Sequence, residues 1–143
     1  MIYTTYFAKL KKLPDNIIPV SICTKPPTGY RGKEFKKLAP TYDILMSYKQ
    51  DHDEERYIER YNKEVLSNLI ADEVVYDLFE LIGMDITGEG YGSISNGGAD
   101  VVLVCYEKSD SFCHRNLVAE WLRLNGYDCE EWKWNPDFKI GGK

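Results

Sequence analysis

Five residues near the middle of the C-terminal half carry most of the chemistry this chain can offer: Cys105, Glu107, Cys113, His114 and Arg115, in the run DVVLVCYEKSDSFCHRNLVAEWLRL from Asp100 to Leu124. A thiol becomes a nucleophile as its thiolate, and Cys113, beside His114 and Arg115 at the start of a helical pattern, is the better-placed thiolate. Glu107 and His114 are suited to acid/base work, and Arg115 to bidentate capture of phosphate or carboxylate. Cys105 is less favoured as a nucleophile because it closes an apolar run. Each residue also has a plain structural reading. Cys105 can be a small core hydrophobe, Glu107 and Arg115 an ion pair, and His114 a donor to a nearby carbonyl. The spacing is not that of a cysteine phosphatase, whose single phosphate-cradling loop places the Arg six residues after the Cys, whereas Arg115 stands ten residues after Cys105.

The elements around these residues follow from periodicity. Val101–Val104 is continuously apolar and β-branched, as a central strand covered on both faces should be. After Lys108–Ser111, Leu117, Val118, Trp121, Leu122 and Leu124 recur at helical spacing. A strand, a loop and a helix in this order bring the thiols, the carboxylate, the imidazole and the guanidinium to the C-terminal edge of a sheet, where helix N-termini favour anions. Thr4, Thr5 and Tyr6, closing a first strand at Ile2–Phe7, reach the same edge. So do Lys25 and Arg31, on the Pro- and Gly-rich loop that follows a second strand over Ile17–Ile22. Pro19 suits the opening of that strand or an edge.

Between Thr41 and Gly83 the pattern is helical in three stretches. Pro40-Thr41 opens the first, Gln50–Glu55 breaks it from the second, and Asp72 is read as the N-cap of the third. Gly88, Gly90 and Gly92 imitate a phosphate loop, but they follow a helix and enter a strand, the reverse of the dinucleotide fingerprint, and are read as an ordinary loop. Gly126 is expected to end the last helix, Tyr127–Trp134 to form a short edge strand, and the residues from about 135 to form a loose tail. The sum is one α/β domain over residues 1–143: a small sheet of about four strands, mostly parallel, covered by helices.

Composition narrows the function classes. The chain has 143 residues, 43% of them hydrophobic, and a net charge of −5, which disfavours nucleic-acid binding despite lysine runs at Lys9–Lys12 and Lys33–Lys37. No stretch is long and apolar enough to span a bilayer, and Met1–Phe7 lacks the order of a signal peptide, so a cytoplasmic protein with reduced thiols is expected. The four cysteines lack paired C-x-x-C spacing. Cys105, Cys113 and His114 have metal-ligand chemistry, but seven residues separate the two cysteines and no second pair is evident, so neither metal nor cofactor is expected.

The strand ending in Cys-x-Glu and the helix opening on Cys-His-Arg together resemble the family called domain of unknown function 488. Ile2-Tyr3-Thr4 with Tyr6, the Pro-Gly loop after the second strand, Leu38-Ala39-Pro40 and the helix with Tyr57 and Tyr61 resemble shorter members, so the likeness spans Met1 to about Trp132. Members often carry an arginine where Cys23-Thr24-Lys25 stands here. The resemblance implies where a site lies and no particular reaction. The leading expectation is therefore a protein that binds a small anionic, nucleotide-like or phosphorylated ligand at this pocket, with thiol or acid/base catalysis as an extension. The alternative is a non-enzymatic interaction protein of phage or mobile-element type, which sequesters a host ligand, blocks a host protein or self-associates as a homodimer. Its motivation is the 11 Tyr and 3 Trp, with Trp132 and Trp134 expected to be exposed.

Overall fold

In a computed structural model, which describes residues 1–84, 100–107 and 112–133, the chain forms a five-stranded, entirely parallel sheet with helices. The strands are β1 (Ile2–Tyr6), β2 (Ile17–Ser21), β3 (Lys33–Glu34), β4 (Asp100–Cys105) and β5 (Cys129–Glu131), in the spatial order β3-β2-β4-β1-β5. The helices are α1 (Tyr42–Asp51), α2 (Glu54–Glu64), α3 (Ala71–Phe79) and α4 (His114–Leu124). The glycine-rich stretch, the Lys108–Ser111 loop and the tail lie outside the described residues.

β4 occupies the centre because its sequence can be dry on both faces: Val101, Val102, Leu103 and Val104 are fully buried and Cys105 nearly so. Val101, Leu103 and Cys105 face the main core with residues of all four helices, while Val102 and Val104 face a smaller cluster. Among the described residues, Ile17, Tyr3, Phe7, Leu10, Leu13 and Trp132 accompany that second face. Trp132 is thus partly buried against the sheet, contrary to the expected exposure, and Trp134 lies outside the described residues.

The sheet has one strand more than expected. β3 is only two exposed, charged residues and gives no apolar alternation to read. It also explains how Pro19 sits inside β2. Residues of even number in β2 and just beyond it turn their backbone toward β4, whereas Pro19 faces β3, and β3 pairs only with Val20 and Ser21. The missing N–H therefore costs no ladder bond, and the Tyr30 hydroxyl donates to the Pro19 carbonyl.

Helix ends follow local chemistry. The Thr41 hydroxyl accepts from the Ile44 N–H at 3.2 Å and starts α1; His52, left-handed at φ 54°, ends it, and the Asp53 carboxylate caps α2 through the Arg56 N–H at 3.1 Å. α3 begins two residues earlier than expected, with Ile70 rather than Asp72 at the N-cap. Asp72 therefore lies in the first turn, where its carboxylate accepts from the Tyr127 hydroxyl. Gly126, at φ +92°, follows the end of α4 as expected. Thr41→Ala should cost about 1 kcal/mol in urea unfolding and Thr41→Ser only a few tenths. Equal midpoints for Thr41→Ala and wild type would remove the cap from the account of α1.

Candidate functional site

The parallel register sets the site. Tyr6 pairs with Cys105, and Thr4 lies opposite Leu103 on one side and Glu131 on the other, so β1, β4 and β5 present Tyr6, Cys105, Thr4 and Glu131 at one edge. α4 starts immediately above it. Cys113 is the extended N-cap residue of α4, with no side-chain capping bond, and His114 and Arg115 form the first turn, all three buried.

Arg115 is the hub of the cluster. It is fully buried, and its Nε and Nη2 donate to Glu131 Oε1 and Oε2 at 3.0 Å each, a fork-to-fork ion pair. Nη1 donates to the Glu107 carbonyl at 2.5 Å and to Cys105 Sγ at 3.1 Å, and the guanidinium lies 5.6 Å from the Tyr6 ring centre. The Thr4 hydroxyl completes the arrangement by donating to Glu131 Oε1 at 2.8 Å. The carboxylate that holds Arg115 is accordingly Glu131 and not Glu107, whose side chain is exposed and whose contribution is its main-chain oxygen. Sequence reasoning missed Glu131. Its signal was the polar–apolar alternation of Tyr127–Trp134, which put a carboxylate on an edge strand, but only the register with Thr4 brings it to Arg115.

His114 is buried with its ring edge-on to Tyr61, whose hydroxyl donates to the Leu38 carbonyl. Its Nε2 lies 2.7 Å from the Ile22 carbonyl, which can only accept, so Nε2 carries the proton and Nδ1 is turned toward Cys113 Sγ at 3.8 Å. Burial pushes the imidazole pKa down to about 4; the Ile22 bond opposes this and the Arg115 charge adds to it. Near neutral pH the ring is therefore neutral. Tyr57, Tyr48 and Phe112 extend the aromatic wall beside it.

Cys105 and Cys113 are joined by a disulfide, with an S–S distance of 2.01 Å, which ties the end of the central strand to the start of α4. In this oxidised form Cys113 has no thiolate, so the nucleophilic role expected from its neighbours belongs to the reduced pair. Cys105, Cys113 and His114 nonetheless offer three ligand atoms within 4.8 Å of one another. Cys23 and Cys129 are buried free thiols, each with its pKa raised to about 11, chiefly by burial.

The remaining expected residues divide. Thr4 and Tyr6 join the cluster. Thr5 alternates to the opposite face with Tyr3, where its buried hydroxyl finds no partner among the described residues. Lys25 reaches the edge through its backbone, its carbonyl accepting from the Tyr106 hydroxyl at 2.6 Å, with its side chain exposed; Arg31 is exposed farther along the same loop. An open recess of about 380 Å³ lined by Lys33, Phe35, Asp77 and Leu81 lies beside β3, apart from these residues. Fold and site together define a small all-parallel α/β protein with a buried Cys-Cys-His-Arg cluster at the C-terminal edge of its sheet. No family model, curated protein or solved structure matches the chain. Among the described residues no helix is long and apolar enough to cross a membrane.

Proposed function

We propose that the C-terminal edge of the sheet binds a small anionic ligand of nucleotide-like or phosphorylated type, and that the Cys105/Cys113 pair is its reactive component when reduced. The observation that carries this reading is the meeting of the β1 and β4 ends with the first turn of α4 around that cysteine pair. Anion contacts fall to exposed Lys25 and Arg31 and to the first N–H groups of α4, because four hydrogen bonds already engage the Arg115 guanidinium. The likeness to the domain of unknown function 488 supports the same location. Catalysis by the thiols, with Glu107 or His114 as acid or base, extends the proposal and is not required by it.

A thermal-shift screen of nucleotides, sugar phosphates and pyrophosphate should find an anion that stabilises the protein by about 2.7 kcal/mol at a hundred times its Kd. In Lys25→Ala/Arg31→Ala that gain should disappear while the melting temperature without ligand stays at the wild-type value, since both side chains are exposed. A screen without any hit, or hits indifferent to both substitutions, would refute the anion reading. The interaction-protein alternative draws on exposed Tyr42, Ile70, Tyr76, Tyr106 and Leu124. Light scattering after size exclusion tests its homodimer form.

A further inference from the structure

We propose that the reduced protein is a metal-binding protein, taking one zinc-class cation on Cys105 Sγ, Cys113 Sγ and His114 Nδ1. Three features of the structure converge on it. The ligand atoms lie within 4.8 Å of one another, and all three residues are buried on the end of β4 and the start of α4, two elements that the core holds in place. The His114 ring is already set as a ligand: Nε2–H donates to the Ile22 carbonyl, which fixes the tautomer and points Nδ1 at the sulfurs. Metal-bound histidines are held by such outer bonds. Finally, Arg115 Nη1 donates to Cys105 Sγ, a bond that favours the thiolate a metal requires.

Two thiolates and one imidazole make a soft ligand set that selects zinc(II) or copper(I) over magnesium or calcium. Charge also balances. A divalent cation is neutralised by the two thiolates, and the Arg115 charge is already matched by Glu131. Three protein ligands leave a fourth tetrahedral position for water or a small anion, as in zinc sites that do chemistry rather than in closed structural ones. Loading from the disulfide needs two steps. A dithiol reductant transfers two electrons and two protons to the disulfide, becoming a cyclic disulfide itself and leaving Cys105 and Cys113 as thiols. The cation then displaces one proton from each thiol, so two protons leave per metal bound. A two-electron thiol oxidant of the diazene class takes the two electrons from the thiolates, with two protons from water, and becomes the hydrazine, while the disulfide re-forms and the cation leaves, so the site is occupied in one redox state only.

This inference does not rest on the anion reading, and either can fail alone. The test is titration of the full-length, phosphine-reduced protein with cobalt(II) in the absence of oxygen. Expected are one equivalent bound, intense sulfur-to-cobalt charge-transfer absorption with tetrahedral visible bands, displacement of cobalt by one equivalent of zinc, and release of two protons per metal. Cys105→Ser and Cys113→Ser should each remove much of the charge-transfer intensity, and His114→Gln, which removes a direct ligand, should weaken binding by more than the roughly 10- to 100-fold that loss of an outer-shell partner costs. Cys23→Ser and Cys129→Ser should leave the spectrum unchanged. Folded, reduced wild-type protein that gives no cobalt bands overturns the proposal, independently of how any variant folds. A spectrum that survives Cys105→Ser and Cys113→Ser, or that vanishes with Cys23→Ser or Cys129→Ser, does the same. Addition of diamide should release the bound zinc to a chromogenic chelator, and zinc retained by protein whose two cysteines have formed the disulfide contradicts the site.

Discussion

Arg115→Ala is expected to destabilise the protein by about 3–5 kcal/mol, enough to remove much of the 5–15 kcal/mol that holds a domain of this kind together. The substitution strips Glu131 of both its paired donors, leaves Thr4 as its remaining contact from this cluster, and takes the donor from the Glu107 carbonyl. A buried pair is costly to half-remove because the surviving carboxylate, about one-fifth exposed, loses the charge that offset most of its desolvation. The double replacement Arg115→Met with Glu131→Leu should recover most of the loss, since it removes both charges while keeping the volume. Urea unfolding of the two single variants and the double gives the coupling directly. If Arg115→Ala unfolds at the wild-type midpoint, the guanidinium is no structural clamp and becomes available to a ligand, which would return Arg115 to the role its sequence context suggests.

Acid should destabilise the oxidised, metal-free protein through His114. Its folded pKa of about 4 lies below the unfolded value of roughly 6.5, so between these limits the unfolded chain takes up a proton that the folded chain refuses. The contribution is fully present above pH 6.5 and is lost as pH falls toward 4, by an amount on the order of 3 kcal/mol. The groups around the ring fix the sign. Arg115 repels a second positive charge, Tyr61 offers only an aromatic edge, and the Ile22 carbonyl already holds Nε2–H. His114→Gln should be less stable at neutral pH yet show a shallower fall in its urea midpoint between pH 7 and 4.5. Identical slopes for variant and wild type would mean that His114 titrates normally and is not enclosed as the structure has it.

Much of this architecture is legible in the order of residue types. β4 can be read because four consecutive branched apolar residues suit only a position covered on both sides, and α4 because its apolar residues keep helical spacing. Thr41 and Gly126 announce helix ends through their own side-chain and backbone chemistry. What could not be read depends on register. Glu131 is sixteen residues beyond Arg115 and reaches it only because β5 pairs with β1 so that Thr4 stands opposite Glu131. Thr4 and Thr5 look alike in sequence, yet the pleat sends one to the Arg115 cluster and the other to the far face. The disulfide was illegible for a different reason: the eight-residue separation of Cys105 and Cys113 matches no familiar pairing, and their proximity exists only once the start of α4 has packed at the end of β4.

The two borders of the sheet limit how this protein can meet others. On one side β3 offers two residues, Lys33 and Glu34, both charged and exposed, next to a strand interrupted by Pro19. On the other, β5 is three residues long and two of them are glutamates. Along the described residues, a neighbouring chain seeking to extend the sheet would find only short borders, and beside β3 would place its own strand against charge. Strand addition, the common route by which parallel and antiparallel sheets grow into dimers or fibres, is thereby disfavoured at both borders as the described residues form them. Among the described residues, self-assembly or partner capture is left to side-chain surfaces such as those of the helices, rather than to the borders of the sheet.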